Sequence, residues 1–233
     1  MLLLLVLLQG TLVGATRVIG LVTMDPSSPE WTLNDSFVSA ILSTHNTYRE
    51  EHDAGKLRWN GTLAAYSEDY LASNGDEPGV CPAWEHSDTP YGENLAIGHC
   101  SATAAVEAWG DERDIYDFDD QGFSKGTGHF TQLIWQDTTD VGCARKWCDG
   151  IPHPDSDVTL SRWYLVCEYW PPGNVMGQFE DQVKIGEYDG PGEEKGEGKG
   201  EGDDESTASL IRGRPNLFLA VLLSGFLGYS VMV

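Results

Sequence analysis

The sequence predicts an α+β domain. Segments with apolar residues at helical spacing come first along the chain, and short segments rich in β-formers come later, an order that suggests helices layered on a sheet. Eight Trp, nine Tyr and seven Phe supply the apolar stock for one core.

The first helix is expected from the polar run Asn34-Asp35-Ser36, with Phe37, Val38, Ile41, Leu42, His45 and Tyr48 along one face and Gly55 as its stop. A second opens after Asn60 and carries Leu63, Tyr66, Tyr70 and Leu71 up to the Asn74-Gly75 break. A third starts near Ser101 and runs through Ala104, Ala105, Val106 and Trp109. Val141 to Ala144 and Trp163 to Tyr169 read as strands. The folded unit is placed at 30–183.

What flanks that unit is read differently. Leu2 to Leu8 is an unbroken apolar run, too short to span a bilayer, followed by the small residues Val13-Gly14-Ala15, so residues 1–15 are expected to be a secretory signal peptide. Glu187 to Glu205 holds nine acidic residues, two lysines and six glycines, the composition of a solvated stalk with nothing to bury. Ser206-Thr207-Ala208, a polar spacer and the apolar run Leu217 to Val233 have the layout of a glycosylphosphatidylinositol attachment signal, with Ser206 as the anchored residue and 207–233 removed. A single-pass tail is the alternative. The protein is therefore expected outside the cell, tethered at its surface.

The formal net charge of -23 argues against nucleic acid, because a phosphate backbone needs a field of the opposite sign. Asn34 and Asn60 head acceptor triplets for N-glycans, although each also suits a helix cap. Five cysteines, Cys81, Cys100, Cys143, Cys148 and Cys167, allow at most two intrachain bridges. Spacing alone does not pair them. An oxidising compartment favours bridges over a zinc cluster, and no Cys-x-x-Cys pair is present.

Histidines and carboxylates are the side chains that move protons or hold metals near neutral pH. His45 and His52 fall on the first helix, where packed, hydrogen-bonded rings are expected, and His99 and His153 lie in loops. His86 and His129 stand out, each next to a glycine-bearing motif: Tyr91-Gly92-Glu93-Asn94-Leu95-Ala96 and Gly128-His129-Phe130-Thr131-Gln132-Leu133-Ile134-Trp135.

These motifs, together with His45-Asn46, Tyr48-Arg49, Leu57-Arg58-Trp59, Trp109 to Glu112, Cys167-Glu168-Tyr169 and Pro172-Gly173-Asn174, resemble the CAP superfamily of cysteine-rich secretory, venom-allergen and plant pathogenesis-related class 1 proteins. The resemblance implies an α-β-α sandwich with a central cleft where His86, Glu93, Glu112 and His129 converge. Such a set would hold a divalent cation, zinc or magnesium, or serve as a hydrogen-bonded network. It also implies bridges Cys81–Cys148 and Cys143–Cys167, with Cys100 left over.

A second site is expected at Tyr116, Phe118 and Phe123, aromatics interleaved with Asp117, Asp119, Asp120 and Gln121. Exposed rings inside a polar rim offer a dry contact to an apolar ligand. This loop is similar to the aromatic segment of fungal CAP proteins that bind sterols, except that Gln121 stands where proline is expected. Packing of Tyr116 and Phe118 under the third helix is the competing reading. Function is thus expected to be binding of a sterol or related small lipid without catalysis, against two alternatives: a metal-dependent hydrolase or protease using the His/Glu set, and an extracellular ligand for a protein receptor.

Overall fold

A computed structural model describes residues 26–74, 77–152, 159–191 and 229–231. The expected signal peptide, the stalk beyond Pro191, Ser206, most of 207–233 and His153 lie outside the described residues.

The elements are α1 (Pro29–Thr32), α2 (Asn34–Glu51), β1 (Arg58–Trp59), α3 (Gly61–Leu71), β2 (Gly92–Ile97), α4 (Ala102–Gly110), a 3-10 turn (Asp111–Ile115), α5 (Gly128–Ile134), β3 (Asp140–Pro152), β4 (Thr159–Trp170), α6 (Phe179–Gln182) and β5 (Tyr229–Val231). The strands form one sheet in the order β1-β3-β4-β2-β5. β3, β4 and β2 run antiparallel to their neighbours, and β1 joins β3 in parallel. β5, which falls inside the 207–233 segment, pairs with Leu95 to Ile97 of β2.

The three layers follow from strand alternation, because successive side chains point to opposite faces. Along β4, Leu165, Cys167 and Tyr169 enter the core beneath α1, α2, α4 and α5, whereas Tyr164 and Val166 enter a second core closed by Leu71 of α3. The domain is an α-β-α sandwich. Gly142 sets how closely α3 approaches, since a Cβ there would collide with Asn60 O and Ala64 N.

Side-chain caps start two of the helices. Asn60 Oδ1 accepts from Thr62 N (2.9 Å) and Leu63 N (3.4 Å) at the start of α3, and Ser101 Oγ accepts from Ala104 N (3.0 Å) at the start of α4. α2 differs from expectation at both ends. Leu33 occupies its cap position without a side-chain bond, while Asn34 already belongs to the helix and its Oδ1 accepts from Arg145 (3.0 Å). It ends at Glu51, before Gly55, where Asp53 turns the chain at a φ of 55°.

Both disulfides implied by the resemblance are formed, Cys81–Cys148 and Cys143–Cys167, and Cys100 is a half-buried free thiol. Contacts of the sandwich extend beyond 30–183. Pro26 O accepts from Trp163 Nε1 (3.2 Å), and the Glu187 amide donates to Glu51 O (2.8 Å). Tyr188 is held as well, with its hydroxyl on Asp114 and Arg113 lying 4.3 Å above its ring.

Candidate functional site

The four residues expected in the cleft form two pairs. His86, in the loop before β2, donates from Nδ1 to Glu93 Oε1 (2.5 Å), and the Glu93 carboxylate also accepts from the Ser87 amide (3.0 Å) and hydroxyl (2.6 Å). On α5, His129 Nδ1 meets Glu112 Oε1 (2.6 Å), and Glu112 Oε2 accepts from Phe130 N (3.1 Å). The His129 ring stacks on Trp109 with centroids 6.0 Å apart.

Alternation places the pairs on different sides of β2. Glu93 shares a face with Leu95 and Ile97 toward α3, whereas His129 rides on α5 against the opposite core. Hydrogen bonds among the described residues join the four as two pairs, His86 with Glu93 and His129 with Glu112. Among the described residues, no three His, Cys, Asp or Glu gather in a way that could hold a metal ion. Each carboxylate fixes its ring through Nδ1, the way an outer-shell carboxylate orients a ligating imidazole, so the carboxylates themselves are committed to rings, amides and a hydroxyl.

One carboxyl missed by sequence reasoning completes the first pair. Glu168 on β4 stands directly opposite Glu93 and is fully buried. Burial, then the charge of Glu93, pushes the Glu168 carboxyl well above its ordinary range. Burial alone would also raise Glu93, but its hydrogen bonds, that from His86 first and those from Ser87 with it, outweigh burial and hold Glu93 below the usual value. The residue appeared in the motif Cys167-Glu168-Tyr169, yet nothing in the sequence said which carboxyl would face it.

A network links this region to the helices. Ile41 O can only accept, so His45 Nδ1 carries the proton it donates there (2.7 Å), leaving Nε2 to accept from the Tyr169 hydroxyl (2.8 Å). Asn94 Nδ2 then donates to Tyr169 Oη (3.2 Å) and to His129 O (3.1 Å). Burial lowers the His45 pKa to about 4, which keeps the ring neutral. The Pro172-Gly173-Asn174 motif braces the same region, since Asn174 donates to Gly128 O (2.9 Å) and accepts from Thr131 (2.6 Å). Gly92 lies so close to the Gln132 amide that a Cβ would collide with it.

The aromatic loop divides into base and tip. Tyr116 is only 8% exposed, and its ring meets Phe118 (4.9 Å) and Phe130 (5.6 Å) edge-on. Phe118 also stacks on His52 at 6.0 Å, and His52 is fixed by Nδ1 on Lys184 O (2.8 Å). These two rings are packing residues rather than ligand contacts, because Phe130 on α5 and His52 after α2 supply the apolar partners that the loop lacks in sequence. Phe123 remains 38% exposed, and Ile115, the last residue of the 3-10 turn before the loop, is 72% exposed. Asp117 Oδ1 accepts from Asp119 N (2.9 Å) and Asp120 N (3.1 Å), and Gln121 Nε2 donates to Val183 O (2.8 Å). Hydrogen bonds therefore fix the loop without the expected proline.

A three-layer sandwich braced by two disulfides, with paired His and Glu and a pinned aromatic loop, defines a class of small disulfide-bonded domains. Residues 42–169 match the CAP family, the cysteine-rich secretory protein family, and the chain belongs to it. It is 40% identical over 150 residues to Protein PRY2 of Saccharomyces cerevisiae, covering 63% of this chain and 41% of that protein. It is also 40% identical over 153 residues to Secreted protein PRY1 of Candida albicans, covering 65% of this chain and 33% of that one. The chain thus spans well under half the length of these two relatives. A solved structure described as NaASP2 with Zn2+ aligns at a TM-score of 0.40 and 19% identity, covering 66% of this chain and 86% of that one. No helix among the described residues is long and apolar enough to cross a membrane.

Proposed function

We propose that this CAP-family chain is an extracellular, non-catalytic module that binds a sterol or a similarly flat, small lipid at the tip of the 115–126 loop. One observation carries the reading. Ile115 and Phe123 stay exposed on a loop whose base is locked by Tyr116, Phe118, Asp117 and Gln121. A pre-formed apolar tip loses little entropy on binding, and the acidic rim keeps the free protein soluble. In this reading Ser206 carries the lipid anchor once 207–233 is removed, residues beyond Tyr188 form the stalk, and Asn34 and Asn60 carry glycans.

The paired His and Glu serve the fold rather than turnover. The Ser87 hydroxyl beside the first pair is spent as a donor to the Glu93 carboxylate, which supports a structural role for it. The same reading assigns no metal to lipid binding. Equilibrium binding of radiolabelled cholesterol to the purified secreted protein tests it: saturable uptake unchanged by a chelator is expected, and no saturable uptake of cholesterol or ergosterol overturns it.

A further inference from the structure

At the end of the sheet remote from the β3–β4 connection, successive strands place a row of side chains on the face that α3 covers. Arg58 of β1 pairs in register with Asp140 of β3, and Asp140 pairs with Trp170 of β4. Residues directly opposite in a ladder project to the same side, so the three side chains stand next to one another. Tyr91, which immediately precedes β2, meets Trp170 at right angles with centroids 6.0 Å apart, and Tyr66 of α3 meets Tyr91 in the same manner at 5.3 Å. With neighbouring strands 4.7–4.9 Å apart, the row from Arg58 to Tyr91 runs roughly 14 Å.

Its chemistry is mixed in a particular way. Trp170 is 47% exposed, a half-open indole that Tyr91 meets at right angles. Beside it the Asp140 carboxylate accepts from the Thr139 hydroxyl (2.6 Å) and from Arg58 Nη2 (3.1 Å). The Thr139 hydrogen bond, ahead of that from Arg58, holds the Asp140 carboxyl below its usual range. The guanidinium is otherwise open, with three quarters of the Arg58 side chain exposed.

We infer that this row is a binding site for a neutral oligosaccharide. The C–H face of one sugar ring lies on the Trp170 indole, while hydroxyls of the next donate to Asp140 and accept from Arg58. An aromatic face with a few fixed polar groups at its side suits a ligand that is apolar on its ring faces and hydroxylated at its edges. Charge selects the same class, because a chain of net charge -23 repels an anionic polymer and leaves a neutral one unaffected. The site is separate from the lipid loop and stands whether or not that loop binds lipid.

Sedimentation of the full secreted protein with particles of insoluble β-1,3-glucan, chitin and cellulose tests the inference, with laminarihexaose titrated by calorimetry. Retention on at least one polysaccharide is expected, unchanged by raised salt. Trp170→Ala should weaken it at least about tenfold, with Trp170→Phe and Asp140→Asn intermediate and Phe123→Ala without effect. Binding seen only after glycosidase treatment also supports the site, with a glycan on the adjacent Asn60 covering it. Failure to bind any of the three in either form overturns the inference. Undiminished binding by a Trp170→Ala protein with native circular dichroism does so equally.

Discussion

Glu168 of β4 and Glu93 of β2 face each other across the ladder, two carboxyls on one side of the sheet with Glu168 wholly enclosed. Like charges directly opposite are destabilising, so the pair is stable only while one of them keeps a proton. The carboxyl that keeps it is Glu168, since Glu93 accepts from His86 and Ser87.

The pair makes stability depend on pH. Glu168 is raised in the folded protein, so above the ordinary value of 4.5 the native state holds a proton that the unfolded chain releases, and stability falls as pH rises. Glu93 is lowered and works the other way, its contribution being present above 4.5 and lost as pH falls below it. The buried rings of His45, His52 and His99, whose pKa values burial lowers, add stability as pH climbs toward 6.5, so the Glu168 decline in wild-type melting temperature is expected from pH 7 to pH 9. Glu168→Gln, neutral at every pH, should flatten that decline, and an unchanged slope would refute the assignment.

Arg49 predicts a large structural effect. It is fully buried without a carboxylate partner among the described residues, and its Nη atoms donate to Leu133 O (2.9 Å), Trp135 O (2.9 Å) and Thr138 O (2.8 Å) while Nε donates to Gly55 O (2.5 Å). Lysine cannot reproduce this fork. Arg49→Lys should cost about 3 kcal/mol or more in chemical denaturation, with α5 and the turn after it loosening first in hydrogen exchange.

The Cys143–Cys167 bridge joins residues already opposite each other in β3 and β4 and closes a 24-residue separation. Replacing both with Ala should lower stability by about 2–4 kcal/mol in urea titration. The fold should survive, because the surrounding ladder continues on either side.

Much of this organisation was legible in the sequence. Helices α2, α3 and α4 announced themselves through apolar spacing, and Asn60 and Ser101 through their capping chemistry. The chain-order change from helical to strand patterning gave the fold class, and the motifs around Cys143 and Cys167 carried the pairing by resemblance. What the sequence withheld were contacts between segments far apart in the chain. Glu93 and His129 both sit in recognisable motifs, but the cross-strand register alone brings Glu168 to Glu93. Tyr116 and Phe118 read as exposed rings because Phe130 and His52, which cover them, lie in other elements. Tyr188 read as stalk because its partners Arg113 and Asp114 are more than seventy residues earlier.

The division of the aromatic loop has its own consequence for stability. Phe118→Ala removes a half-buried ring from its contacts with His52, Tyr116 and Phe130, and should cost about 2 kcal/mol by thermal or urea unfolding, below the range for a fully enclosed phenylalanine. Phe123→Ala should change stability by less than about 0.5 kcal/mol.

Sterol affinity of the Phe123→Ala protein, measured beside its melting temperature, tests the central reading most directly. The loop-tip account predicts at least about a tenfold loss of cholesterol binding with an unchanged melting temperature. Full retention of saturable binding by that folded variant would contradict it.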